Sequence, residues 1–179
     1  GGDSAHVGKS VFSDLREGKA TYPLLLAVES DPDLAAMIER GVSDSVAQAL
    51  SLIYAYIEGL NRQSVDATVA CVSEDFFNEH TSAIGVSVRG KDAYRQALSR
   101  FFADVPGLHY EIEDVLTDGT RATAPYTLTA SMRGTPIRIR GIFGFRITNN
   151  AIVHRVDYWD SAIVEQQLKA AGGSHIEDP

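Results

Sequence analysis

Apolar residues follow a helical spacing in the first part of residues 44–171 and again at the end, with strand-like runs between. One set recurs every three or four positions, as one face of an α-helix requires. It comprises Val46, Leu50, Ile53, Tyr54, Ile57 and Leu60. Further helices are predicted to about Val72, at 91–104 and after Asp160. Runs rich in β-branched and aromatic residues predict four strands, at roughly 108–117, 120–132, 136–148 and 151–159.

Short turns separate these four strands, and a further short strand at 76–80 precedes them. The turns are Asp118-Gly119, Arg133-Gly134-Thr135 and Asn149-Asn150. These residue types accept the positive φ of tight hairpins, which join antiparallel strands. Gly141 and Gly144 inside the third of these strands predict bulges or bends that curve the sheet. The order predicts an α+β fold, with three N-terminal helices packed on one face of a curved antiparallel sheet.

The strand at 151–159 carries a carboxylate in an unusual place. Because side chains alternate along a strand, Asp157 shares one face with Arg155 and Trp159. The opposite face takes Ile152, His154, Val156 and Tyr158. A carboxylate at mid-strand costs several kcal/mol if it is buried unpaired, so Asp157 needs a partner or a function. Asp160 directly precedes a helical pattern, and we interpret it as the N-cap of the last helix.

Composition and charge exclude several kinds of protein. The 179 residues carry a formal net charge of −8, and the sequence pI is about 5.0. This balance argues against nucleic acid or a membrane surface as a partner. The single cysteine, Cys71, lies in an apolar helical run and is interpreted as a packed thiol. With no Cys/His cluster and no long apolar run, we expect a cytoplasmic protein that uses neither a metal nor an organic cofactor.

Residues 8–28 contain a Gly-Lys pair, an Asp-Leu-Arg-Glu-Gly-Lys run and a Thr-Tyr-Pro run in succession. In this order they resemble a late segment of the trans-polyprenyl synthases, and the resemblance ends near residue 41. In that family the lysine matched by Lys19 lies near the diphosphate of the allylic substrate. Both aspartate-rich motifs that hold magnesium in that family are missing here. Prenyl transfer by this chain alone is therefore not expected.

The chain is predicted to have three parts. Residues 1–42 form an N-terminal extension, with an exposed loop at 10–20 and helices at 22–30 and 32–40. Residues 43–171 form the main domain, and residues 172–179 form a flexible tail.

Several short motifs occur in a characteristic order between residues 44 and 170. They are Gly59-Leu60-Asn61 at the end of a tyrosine-containing helix, Ser73 to His80, Gly90 to Ala93, Asp118 to Ala122, Ile152 to Asp160, and Gln166-Gln167-Leu168. Together they resemble the nuclear-transport-factor-2-like (NTF2-like) superfamily and, within it, the SnoaL-like polyketide cyclases and the ketosteroid isomerases. The resemblance implies a cone-shaped α+β barrel around one apolar pocket, which binds a small hydrophobic molecule, and a homodimer formed through the sheet.

The same resemblance implies three catalytic residues. Tyr56 matches the tyrosine that donates to the substrate oxyanion in ketosteroid isomerases. His80 matches the aspartate base of those isomerases and the asparagine that positions water in limonene-epoxide hydrolases. Asp157 matches one aspartate of the Asp-Arg-Asp set of the epoxide hydrolases.

Neither family set is complete. The arginine and second aspartate of the epoxide hydrolases would fall near Ala124 and Tyr126. The second acid of the isomerases would fall near Phe143. Neither activity therefore transfers directly to this chain.

Each candidate also has a structural interpretation. His80 is either a general base or a histidine at a strand end whose hydrogen bonds serve only the structure. Asp157 either orients His80 or pairs with Arg155, and Tyr56 is either a pocket donor or a core aromatic. The residues expected to line the pocket and bind the substrate are Asn78, Tyr126, Phe101, Phe102, Phe143, Phe145 and Trp159.

Two functions follow from these residues. The first is an enzyme that acts on a hydrophobic cyclic or isoprenoid substrate by cofactor-independent acid/base chemistry. Isomerisation, cyclisation, dehydration and epoxide hydration would all use His80, Asp157 and Tyr56 in this way. The second is a non-catalytic module that binds a ligand or forms a dimer. Convergence of the three side chains on one cavity would favour the enzyme.

Overall fold

The computed structural model describes residues 19–20 and 44–173. The helices within these ranges are α1 (Asp44–Asn61), α2 (Val65–Ala70), α3 (Lys91–Asp104) and α4 (Ser161–Gly173). The strands are β1 (Lys19–Ala20), β2 (Val72–His80), β3 (Val88–Arg89), β4 (His109–Ile112), β5 (Val115–Thr117), β6 (Arg121–Met132), β7 (Thr135–Thr148) and β8 (Ala151–Trp159). The fold is α+β, as predicted, and the strand predicted at 108–117 is divided into β4 and β5.

Helix α1 lies against the sheet through its predicted apolar face. Its fully or nearly fully buried residues are Ala49, Leu50, Ile53, Tyr56, Ile57 and Leu60. The next helix, α2, begins at a serine cap, because the Ser64 side chain accepts a hydrogen bond from the Ala67 N–H at 3.3 Å. Gly59 allows the two helices to approach closely, since a Cβ there would lie 2.8 Å from the backbone nitrogen of Thr68.

All eight strands belong to one sheet with the order β1-β5-β6-β7-β8-β2-β3, and β4 also pairs with β6. The hairpins β6–β7 and β7–β8 are antiparallel, as predicted. Strand β2, however, pairs parallel with β8, so the sheet is mixed rather than purely antiparallel. This pairing joins strands that are distant in sequence, and local turn signals do not encode it. Among the described strands the sheet is curved and open, with β1 and β3 at its two edges.

Strand β8 contains a bulge near its start. Ile152 and His154 pair with adjacent residues of β7, which leaves Val153 as an extra residue. The extra residue shifts the alternation of side chains, so Ile152 is fully buried on the same side as Arg155. The prediction that Ile152 faces away from Arg155 is therefore wrong.

Gly141 and Gly144 form no bulge between β6 and β7, and both allow close packing within the curved sheet. The β6–β7 ladder runs without a register shift, and Gly141 lies opposite Tyr126 in it. A Cβ on Gly141 would overlap the Tyr126 hydroxyl and lie 2.8 Å from the carbonyl oxygen of Tyr158. Glycine at this position therefore allows the Tyr126 ring to lie across β7.

Two predicted local signals are confirmed. Asn149 and Asn150 have φ of 50° and 56°, as a two-residue hairpin turn between β7 and β8 requires. Asp160 accepts a hydrogen bond from the Ala162 N–H at 2.8 Å and so caps α4.

The predicted terminal parts lie largely outside the described residues. Lys19–Ala20 forms a strand that pairs antiparallel with β5, where the sequence predicted a loop. The helices predicted at 22–30 and 32–40 lie outside the described residues. In the predicted tail, Gly172 and Gly173 belong to α4, and residues 174–179 are not described. None of the helices described is both long and apolar enough to cross a membrane.

Candidate functional site

A cavity of about 450 Å³ lies between α3, the loop at 81–87 and the inner side of β2 and β8. Its walls are mostly apolar, with Val88, Leu98, Phe101 and Met132 among them. A group of buried or half-buried polar side chains also lines it, comprising Asn78, His80, Tyr94, Tyr110, Arg155 and Trp159, and the exposed Arg100 and Asp104 of α3 belong to its wall as well. An apolar cavity of this size with a few convergent polar groups is typical of a small-molecule site.

The parallel pairing of β2 with β8 assembles this polar group. Asn78 lies opposite Arg155 in the ladder, and His80 lies opposite Asp157. Residues two apart on a strand share a face, so all four side chains project from the inner side of the sheet. Asn78, Arg155 and Asp157 are all at most 5% exposed.

The hydrogen bonds of His80 determine which ring nitrogen carries the proton. Its Nε2 lies 3.2 Å from Arg155 Nη2 and 3.2 Å from Asn78 Nδ2. A guanidinium only donates, so Nε2 must accept, and the neutral ring carries its hydrogen on Nδ1. Nδ1 lies 3.5 Å from Asp157 Oδ2, which can accept that hydrogen. Burial, together with the charge of Arg155, lowers the pKa of His80 to about 3, so the ring is neutral at physiological pH.

Asp157 contacts three side chains. Tyr126 donates its hydroxyl hydrogen to Oδ1 at 2.7 Å, while Oδ2 lies 3.5 Å from His80 Nδ1 and 3.7 Å from Arg155 Nη2. Burial raises the pKa of Asp157, and Arg155 and the Tyr126 hydrogen bond oppose the rise. The carboxylate thus lies near both partners considered for Asp157, His80 and Arg155.

Arg155 is the centre of the network. It donates through Nη1 to the Tyr56 hydroxyl at 2.9 Å, and its guanidinium stacks over the Phe143 ring at 4.8 Å from the centroid. Its Nε has no hydrogen-bond partner among the described residues. Burial disfavours the charge, but the surrounding hydroxyl and carboxylate groups more than offset this effect and raise the pKa of Arg155. A buried cation is therefore held beside His80.

Tyr56 lies behind Arg155 rather than on the cavity wall. Its hydroxyl is hydrogen-bonded to that of Tyr94, which does line the cavity. Burial raises the pKa of Tyr56, and burial and then the neighbouring Tyr56 raise that of Tyr94. Both phenols therefore stay protonated at physiological pH.

The structure brings only part of the predicted set to the cavity. Of the predicted catalytic residues, His80 lines it, whereas Asp157 and Tyr56 reach it only through His80 and Arg155. The predicted binding residues that line it are Asn78, Phe101 and Trp159. Those that do not are Tyr126, Phe102, Phe143 and Phe145. Tyr126, Phe143 and Phe145 pack with one another and with Tyr110 and Tyr56 in the core beneath the polar group.

Sequence reasoning missed three residues of the site. The sequence predicts Arg155 only as a partner of Asp157, and it assigns no role to Tyr94 or Tyr110. The available signal was that each carries a polar group at a position whose spacing predicts burial, where such a group needs a partner.

Cys71 is buried as predicted, and burial raises the pKa of its thiol. Within the described ranges no three His, Cys, Asp or Glu side chains are grouped so that they could hold a metal ion.

The model of the SnoaL-like domain family matches residues 53–155. No curated protein matches the chain. A protein with a ketosteroid isomerase-like fold from Catenulispora acidiphila is similar in structure, with a TM-score of 0.61 and 18% identity over 65% of this chain and 90% of that one. An LEH-like epoxide hydrolase from M. tuberculosis has a TM-score of 0.61 and 18% identity over 70% of this chain and 92% of its own.

A candidate polyketide cyclase from Xanthomonas campestris has a TM-score of 0.58 and 23% identity, and the match covers 68% of this chain and 97% of that protein. At these identities the likeness concerns the fold.

Proposed function

We propose that this chain, which belongs to the family of SnoaL-like domains, is an enzyme that removes a proton from a carbon next to a carbonyl group of a hydrophobic ring compound. His80 is the base, Asp157 orients it, and Arg155 stabilises the enolate. The observation that carries the proposal is the position of His80 Nε2, 3.2 Å from the Arg155 guanidinium, on a ring whose other nitrogen faces a carboxylate.

Hydrogen-bond donors exceed acceptors around the His80 ring. Asn78 Nδ2 and Arg155 Nη2 both donate to the single lone pair of Nε2, and Trp159 Nε1 lies 3.5 Å from Nδ1. At 3.2 Å the first two bonds are long for N–H donors. Asn78 Oδ1 is a buried acceptor without a donor among the described residues, but no oxygen there accepts from Asn78 Nδ2 or Arg155 Nη2. A ligand carbonyl would supply one.

Binding of the carbonyl frees the base. An oxygen that accepts from Arg155 and Asn78 draws both donors away from Nε2. The lone pair is then available next to the carbon that is bonded to the carbonyl. Arg155, which after burial contributes to the lowered pKa of His80 in the free protein, would then donate to the substrate oxygen instead of to the base.

Each charge that forms during the proton transfer lies beside a residue of opposite charge. His80 Nε2 takes the proton and becomes an imidazolium, whose Nδ1–H faces Asp157. The electron pair of the broken C–H bond moves to the substrate oxygen beside Arg155, where the buried cation stabilises it. Return of the proton to another carbon gives an isomer, and attack of the enolate carbon on a second carbonyl gives a ring.

One observation favours a non-catalytic ligand-binding module instead. In the free protein Nε2 is already engaged by two donors, and a pKa of about 3 makes His80 a weak base. If a bound carbonyl does not displace these donors, the cavity only binds its ligand.

Hydrogen–deuterium exchange at the carbon next to the carbonyl of 1-tetralone tests the proposal, because it detects proton removal without knowledge of the natural substrate. We expect the wild-type protein to accelerate exchange above the buffer rate. His80→Ala should lower that acceleration at least about a hundredfold, as loss of a general base does.

The matched control is His109→Ala, because His109 is an exposed histidine outside the cavity lining. It should exchange 1-tetralone at the wild-type rate. Saturating binding of 1-tetralone by calorimetry without accelerated exchange would refute the enzyme and leave the binding module.

A further inference from the structure

Tyr110 is a buried tyrosine whose hydroxyl has no hydrogen bond to any described residue. The Asn61 side chain bonds the Tyr110 backbone, accepting from its N–H at 2.7 Å and donating to its carbonyl oxygen at 3.0 Å. Its ring packs against Tyr126 and Phe143, with centroids 5.0 Å and 5.1 Å away, and the residue is 5% exposed. Buried tyrosine hydroxyls usually have a partner. Because Tyr110 lines the cavity, a ligand can provide that partner.

Tyr94 offers a second hydroxyl to the same cavity. The Tyr56 oxygen accepts from Arg155, which cannot accept in return. If Tyr56 then donates to Tyr94, the buried Tyr56 hydrogen has an acceptor and the Tyr94 hydrogen is free for the cavity. The reverse order would leave the Tyr56 hydrogen unpaired in a fully buried position.

Both hydroxyls remain neutral donors. Burial is the main cause that raises the pKa of Tyr110, followed by Asp157, and burial also raises that of Tyr94. Both phenols are therefore uncharged and can donate a hydrogen bond to a ligand oxygen.

We propose that Tyr94 and Tyr110 bind a second oxygen of the ligand, distinct from the oxygen held by Arg155 and Asn78. This inference rests on the proposed function only in placing the ligand in the same cavity. The ligand is then a hydrophobic ring compound with two oxygen groups, a carbonyl and a second hydroxyl or carbonyl. Tyr110 favours the second group because its hydroxyl lines the cavity and has no partner among the described residues.

Calorimetric binding of 1-tetralone and of its 5-, 6- and 7-hydroxy derivatives tests the inference. We expect the wild-type protein to bind at least one derivative about threefold to tenfold more tightly than 1-tetralone, the effect of one added hydrogen bond. Tyr110→Phe should abolish this preference. Tyr158→Phe, which removes a hydroxyl from a residue 53% exposed, should keep it.

Tyr110→Phe breaks no side-chain hydrogen bond to a described residue, so we expect it to fold. A measurement on the wild type adds a check without mutation. The 13Cζ resonance of Tyr110 should shift more with the preferred hydroxytetralone than with 1-tetralone.

The inference is overturned if no derivative binds more tightly than 1-tetralone, or if the preference survives in Tyr110→Phe. Binding preference without any proton exchange would refute the proposed function and leave this inference standing. Proton exchange without a binding preference would refute this inference and leave the proposed function standing.

Discussion

Arg155 Nη2 lies 3.2 Å from Nε2 of His80, so a buried guanidinium donates to the atom that would act as a base. This contact determines the tautomer of His80, contributes to its lowered pKa, and connects it through Tyr56 to Tyr94. The behaviour of the site therefore depends on Arg155 as much as on His80.

The unfolding free energy should depend on pH through His80. Its pKa is about 3 in the folded protein and about 6.5 in an unfolded chain. Between these values the unfolded chain binds more protons, so the contribution of His80 is full above about pH 6.5 and is lost as the pH falls toward 3. Chemical denaturation from pH 4 to pH 8 should show this loss in the wild type.

His80→Gln should remove that part of the pH dependence, while His109→Gln should retain it. A wild-type imidazole that titrates in NMR spectra between pH 5 and pH 8 would contradict the prediction. The exchange of 1-tetralone should likewise show no decrease from pH 8 to pH 5, since free His80 stays unprotonated there.

Arg155 and Asp157 should be strongly coupled. Arg155→Met leaves the buried carboxylate without its cation and should lower the unfolding free energy by about 3–5 kcal/mol. Adding Asp157→Asn should recover part of that loss, because the second substitution removes the unpaired charge. Urea denaturation of the two single variants and the double variant gives the coupling energy.

The exposed pair Arg140 and Glu113 provides the comparison, with contacts of 2.6 Å and 2.9 Å between their side chains. Its double-mutant cycle should give a much smaller coupling, because solvent screens it. Equal coupling in both pairs would show that burial does not determine the strength of the Arg155 interaction.

Tyr126→Phe should destabilise the protein although it removes a single oxygen. The hydroxyl donates to Asp157 Oδ1 at 2.7 Å, and both residues are buried. Loss of this donor to a buried carboxylate should cost about 1–3 kcal/mol in urea denaturation. Tyr158→Phe on the exposed side is the control, and an equal loss there would refute the assignment.

Gly141→Ala should destabilise the protein by about 1–3 kcal/mol or more, because the added methyl group overlaps the Tyr126 ring across β7. Gly172→Ala is the matched control, since a Cβ there meets nothing within 4 Å. In helix α4 that change should be neutral or stabilising. Thermal denaturation of the two variants compares them, and a tolerated Gly141→Ala would show that Tyr126 moves freely.

Much of the fold could be predicted from local patterns. Helical spacing determines the buried face of α1, Asp160 caps α4, and Asn149-Asn150 forms the last hairpin. Each depends on a few neighbouring residues, so the chain itself contains the whole signal. The alternation of side chains that predicts Asp157 and Arg155 on one face of the strand is also local. It is confirmed, because both residues are buried on the inner face of β8.

Only the tertiary structure decided how the site is assembled. The parallel pairing of β2 with β8 places His80 beside Asp157, and two strands with many residues between them carry no local mark of their pairing. The bulge at Val153 changes which residues of β8 are buried, because one extra residue reverses a period of two. The sequence alone thus determined which elements form and which side chains could react. Packing of distant elements decided that His80, Arg155, Tyr94 and Tyr110 share a cavity, because contacts between strands and helices far apart in sequence exist only in the folded chain.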